Sequence, residues 1–164
     1  MLEGWHYQNA YVCDDIEAAI ELFRQRAPLG DVRIIDVSQP VSTPHGTKTV
    51  ATRLAFIWIG DLQYELIQVV NDETGIYANA RSNGGPLRFH HVCMRVDDWD
   101  AFRARVARQD LPVVMERATE GDALKFLYLD AREFCGHYLE YVWTTDERWA
   151  AMRASRPRGP RQPS

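Results

Sequence analysis

Four polar side chains stand inside runs that otherwise read as apolar strands: Gln8 within residues 7–13, Glu65 within 62–70, His91 within 89–96 and Glu140 within 136–143. Strand residues alternate between two faces, so Gln8 shares a face with Ala10 and Val12, and Glu65 with Gln63, Ile67 and Val69. By the same rule His91 shares a face with Cys93 and Arg95, and Glu140 with Tyr138 and Val142. Glu65 lies between Tyr64 and Leu66, and Glu140 between Leu139 and Tyr141, where an unpaired buried carboxylate is costly. Two carboxylates, an imidazole and an amide oxygen converging on one face make a donor set for a divalent cation, whose charge the carboxylates cancel. Each residue alone has a plainer reading, since a strand histidine is more often a satisfied core or surface group than a ligand. Gln8 is the poorest donor, a neutral amide that would serve a substrate equally well. His90 is expected on the opposite, helix-facing side, with no role.

The elements that must position these groups repeat. Residues 7–13 read as a strand, and after them Ile16, Ile20 and Phe23 recur at helical spacing. Residues 89–96 read as a strand, followed by Trp99, Phe102 and Val106 at the same kind of spacing. Asp15 and Asp98 stand where helix N-caps are wanted, and an offset of 83 residues carries Asp15 onto Asp98 and Gln8 onto His91. Further strands are predicted over 32–37, 49–59 and 62–70, with Gly60-Asp61 as a hairpin turn, and then over 111–115, 124–129 and 136–143. Each half thus reads strand, helix, strand, strand, strand. The stretch 38–48 reads as a long polar loop, a candidate lid or dimer arm, within which His45 is either a proton carrier or solvent-facing. Residues 73–81 read as a short helical connector and 82–86 as a flexible joint. Module one therefore spans 5–72, the connector 73–86 and module two 87–146, a single domain over 5–146. Residues 147–164 form a C-terminal helix and a mobile Arg/Pro tail containing Arg153, Arg156, Arg158 and Arg161.

Composition narrows the class. The chain has 164 residues, enough for one domain with a real core. A net charge of -4 argues against nucleic acid as a partner. No apolar run approaches the roughly 20 residues of a membrane span, and no secretory signal precedes the first strand, so a cytoplasmic setting is expected. Cys13, Cys93 and Cys135 are odd in number and form no CxxC pair, which points to free thiols.

The paired halves, with Gln8 and His91 each seven residues before the Asp that opens the helix, resemble the vicinal oxygen chelate superfamily. Its members include glyoxalase I, methylmalonyl-CoA epimerase, extradiol dioxygenases and bleomycin-resistance proteins. The resemblance implies an α+β fold: two βαβββ modules forming an open, barrel-like mixed sheet with helices outside. It also implies one ligand from the first and one from the last strand of each module, hence Gln8, Glu65, His91 and Glu140. That order of residue types is similar to zinc-type glyoxalase I, making zinc the first expectation and nickel, cobalt or manganese the alternatives. By the same resemblance Glu140 is the catalytic base, removing a proton beside a carbonyl whose oxygen the metal holds. The segments 65–68, 76–77 and 90–91 are similar instead to the epimerase branch.

Departures from these patterns limit the substrate. An iron dioxygenase needs a second histidine where Gln8 stands. A two-base epimerase needs a further acid near the third strand of module one, yet no Asp or Glu occurs between Val37 and Gly60. Val12 and Val69 occupy places where glyoxalase I carries an Arg and an Asn for glutathione. Arg95 is a candidate for pairing with a substrate carboxylate or phosphate, or for a salt bridge inside the sheet. The expectation is a metal-dependent glyoxalase-like lyase or isomerase acting on a small, rather apolar substrate. The alternatives are a non-catalytic binding protein of the bleomycin-resistance kind and an epimerase-like isomerase. The family pattern further implies a homodimer.

Overall fold

The computed structural model describes residues 3–80 and 84–156. Residues 81–83 of the expected joint and 157–164 of the expected tail, with Arg158 and Arg161, lie outside the described residues. The first module contains β1 (Trp5–Cys13), α1 (Ile16–Arg24), β2 (Ile34–Thr43), β3 (Gly46–Ile59) and β4 (Leu62–Asp72). The second contains β5 (Arg88–Arg95), α2 (Trp99–Val106), β6 (Val113–Ala118), β7 (Leu124–Ala131), α3 (Arg132–Cys135) and β8 (His137–Thr144), and α4 (Asp146–Ala154) follows it. A short 3-10 turn over Tyr77–Asn79 occupies the connector.

The helices begin where the aspartates stand. Asp15 accepts a hydrogen bond from the Ala18 amide and Asp98 one from the Ala101 amide, each at 2.9 Å. These bonds satisfy amides that the first helical turn leaves without partners. The apolar stripe of α1 packs with Cys13, Ala55, Ile57 and Leu66 into one cluster outside the sheet. Phe102 and Val106 of α2 pack with Met94, Leu127, Leu139 and Tyr141 into another. Each fully buried aliphatic residue in them contributes about 1.5–3 kcal/mol.

Eight strands close in the order β1-β4-β3-β2-β6-β7-β8-β5, with β5 returning to β1. β1 and β4 are parallel, β5 and β8 are parallel, and the modules meet antiparallel along β1 and β5. The opposite seam is thin: β2 touches β6 through one register pair, Ser42 with Glu116. The expected polar loop over 38–48 is instead the tip of a long hairpin in which ten register pairs join β2 to β3. Its turn is Pro44-His45, where Thr43 Oγ1 donates to the Gly46 carbonyl and His45 is exposed. Pro40 is tolerated in β2 because this strand is nearly an edge. A third apolar cluster, including Ala10, Val12, Trp58, Ile67, Phe126, Tyr128, Tyr138 and Val142, fills the barrel interior.

The C-terminal helix adds a plug. Trp149 of α4 enters the interior cluster and meets Tyr7 edge-on at 5.0 Å between ring centroids. Arg153 and Arg156, expected in a solvated tail, are engaged instead. Arg153 lies over the Trp5 ring, while Arg156 lies over Trp58 and pairs with Asp61.

Candidate metal centre

The modules put the four candidate groups on two adjacent cross-strand rows of the inner face. One row runs Glu65, Ala10, His91, Tyr138, and the next runs Gln63, Gln8, Cys93, Glu140. The repeat relates the rows end for end, so Glu65 corresponds to Glu140 and His91 to Gln8. Ala10, fully buried between Glu65 and His91, has no bulk to hold those longer side chains apart.

Glu65, His91 and Glu140 each offer a ligand atom, and these atoms lie within 4.8 Å of one another. All three residues are buried, His91 completely and the two glutamates to 8% exposure. His91 Nε2 lies 3.1 Å from Glu140 Oε2 and 3.5 Å from Glu65 Oε2. Yet Nε2 makes no hydrogen bond of acceptable geometry. The imidazole thus meets both carboxylates at ion-pair distance without an aligned N–H···O bond. A buried polar atom without a hydrogen bond is expensive, and two buried carboxylates with one imidazole leave net negative charge in the barrel. Oxygen and nitrogen donors of this kind fit a divalent ion.

The charges are mutually tuned. Burial alone would push the His91 imidazole down, but Glu140 and Glu65 override it and raise it to about 9. Burial raises the Glu65 carboxyl above its ordinary range, opposed by His91. Burial, followed by the nearby carboxylate charge, also raises Tyr128 and Cys93, which keeps them neutral.

Gln8 is buried on the inner face as expected, and its Nε2 donates to Gln63 Oε1 at 2.8 Å. Gln63, two residues before Glu65 on the same face, is itself buried and so holds the Gln8 amide in place. Arg95 sits at the end of β5 with its guanidinium committed to Asp97 and Asp146 and stacked 4.9 Å over Trp149. These contacts join the end of β5 to the first turn of α4. His90 differs from expectation. It is buried inside the barrel, against Tyr77 and Tyr138, and its Nδ1 lies 2.8 Å from His91 Nδ1. Burial holds this imidazole well below its usual range. Tyr7 also lies inside, not on the outer face that alternation gives it, and accepts a hydrogen bond from Cys93 Sγ at 3.4 Å.

Residues 7–128 match the family model described as the Glyoxalase/Bleomycin resistance protein/Dioxygenase superfamily. The chain belongs to this superfamily. No curated protein matches it in sequence. Among solved structures it is similar to a Streptomyces coelicolor methylmalonyl-CoA epimerase variant in complex with 2-nitronate-propionyl-CoA. That pair has a TM-score of 0.64 and 17% identity, covering 88% of this chain and 97% of the other. The Mycobacterium tuberculosis methylmalonyl-CoA epimerase gives 0.60 and 15%, covering 92% and 97%. A hypothetical protein from Bacillus halodurans gives 0.60 and 14%, covering 86% and 94%. At these identities the likeness shows the fold. No helix among the described residues is long and apolar enough to cross a membrane.

Proposed function

We propose that this protein is a metal-dependent proton-transfer enzyme of the glyoxalase type, acting at the carbon beside a carbonyl of a small, rather apolar substrate. The observation that carries the reading is the buried Glu65–His91–Glu140 cluster, whose donors lie within 4.8 Å of one another while His91 Nε2 makes no aligned hydrogen bond. Glu65, His91 and Glu140 would hold the ion, with the Gln8 amide as the fourth donor. Zinc suits this set first, and nickel, cobalt or manganese are the alternatives. A divalent ion there supplies electrophilic stabilisation of negative charge on a substrate oxygen.

The chain's own residues do the rest. Glu140 is the proposed base, at the position to which the resemblance gives that role, and it keeps 8% exposure where His91 keeps none. Tyr128 and Cys93, neutral and buried, exclude water from that end of the barrel. A cavity of about 500 Å³ lies at the barrel's edge between the β2–β3 turn and the connector, lined in part by Ile76, Tyr138, Lys48 and Arg132. Its lining also includes Glu73 and none of Gln8, Glu65, His91 and Glu140.

The test is solvent deuterium exchange into carbonyl compounds, followed by mass spectrometry with each metal. Exchange at the carbon next to the carbonyl, lost in Glu140→Gln, supports the reading. Ligand binding without exchange under any metal overturns it in favour of a sequestering protein. A second reading, epimerisation of an acyl thioester, draws on the epimerase neighbours. Glu65 opposite Glu140 would then supply the second carboxylate that residues 38–59 lack, and inversion of a chiral branched thioester is its readout.

A further inference from the structure

Adjacent strand residues send their side chains to opposite faces, yet the His90 and His91 rings are both buried, with centroids 5.1 Å apart. The cause is in the register. Along β1 and β5 the pairs step from Ala10 with His91 to Tyr11 with Phe89, leaving His90 as the extra residue of a bulge. A bulge re-aims one side chain, and here it turns His90 inward beside its neighbour. The step between His6 and Gln8 makes Tyr7 the extra residue at the equivalent place in the first module, 83 residues earlier. The repeat therefore has one device and has filled it with different residues.

The hydrogen bonds of His90 decide what that placement does. Its Nε2 lies 3.2 Å from the Ile76 carbonyl oxygen. A carbonyl only accepts, so Nε2 carries the proton and donates. The neutral ring then offers Nδ1 as an acceptor, and the 2.8 Å contact with His91 Nδ1 requires the proton to sit on His91. Tyr77, stacked at 4.7 Å and 24°, and Tyr138 at 5.0 Å keep the His90 ring in this plane. With Nδ1 protonated, the His91 atom left to face Glu65 and Glu140 is Nε2.

We propose that His90 is a positioning residue that fixes a proton on His91 Nδ1 and thereby presents His91 Nε2 to a cation. This rests on the proposed metal site for its purpose, though not for the hydrogen bond itself. Partners behind a ligating histidine commonly set its tautomer, and losing one typically costs about 10–100-fold in metal affinity.

The experiment has two arms. Imidazole nitrogen NMR on the wild-type protein, without metal and with zinc, locates the protons. The expected result is a slowly exchanging proton on His91 Nδ1 bridging to an unprotonated His90 Nδ1. Zinc and cobalt titrations of His90→Phe, which keeps the stack on Tyr77 but removes the acceptor, should show about 10–100-fold weaker binding. His90→Gln, whose amide can accept from His91 and donate to Ile76, should recover most of it. A proton found on His90 Nδ1 with His91 Nδ1 as acceptor overturns the proposal, as does wild-type affinity in a folded His90→Phe. If the wild type takes up no metal, the metal reading fails while the NMR arm still decides the tautomer. If His90→Phe does not fold, the NMR arm and His90→Gln decide it.

Discussion

At the scale of single residues the site is a balance of buried charge. His91 is held at about 9 by Glu140 and Glu65 against its own burial. Its folded value exceeds the unfolded one near 6.5, so in metal-free protein its stabilising contribution is complete below pH 6.5 and is lost as pH rises through 9. Chelator-treated protein should therefore lose melting temperature between about pH 7 and 9.5, and His91→Gln should flatten that slope. Metal affinity should run the other way, rising with pH over the same window, because His91 Nε2 must lose its proton to ligate. Calorimetric titration in buffers of different ionisation enthalpy reads that proton release. For catalysis, Glu140→Gln should lower proton exchange by about 10²-fold or more at saturating metal.

At the scale of elements, the strands and helices that carry the donors were readable because their signals are local. Asp15 and Asp98 cap their helices, and alternation correctly put Gln8, Glu65, His91 and Glu140 on the inner face. The same rule misplaced His90, since a bulge breaks alternation without leaving any mark in composition. The β2–β3 hairpin was hidden by Pro40, Pro44 and Gly46, which read as breakers although nearly edge-like β2 accommodates the first and the turn uses the others. Docking of α4 was hidden for a different reason: Trp149 is its one buried residue, too little to form a stripe. That makes α4 a detachable element. Trp149→Ala should destabilise the fold by about 3 kcal/mol in urea titration. Arg95→Ala should instead speed hydrogen exchange in α4 while leaving β1 and β4 protected.

At the scale of the whole molecule, one chain supplies both modules of the closed barrel, so Glu65, His91 and Glu140 come from a single copy. The repeat was visible in the 83-residue offset, and the barrel follows once each module must bury its inner face against the other. Which donors meet was less legible, because it depends on the β1–β5 register that sets Ala10 opposite His91. A site complete within one chain should bind metal with a stoichiometry that does not vary with protein concentration, whether or not copies pair. The most direct test is equilibrium dialysis against zinc, nickel, cobalt and manganese with elemental analysis of the folded protein. The account predicts close to one ion per chain for at least one metal, abolished by combining Glu65→Gln with Glu140→Gln. A value near zero for all four metals in folded wild-type protein would contradict it.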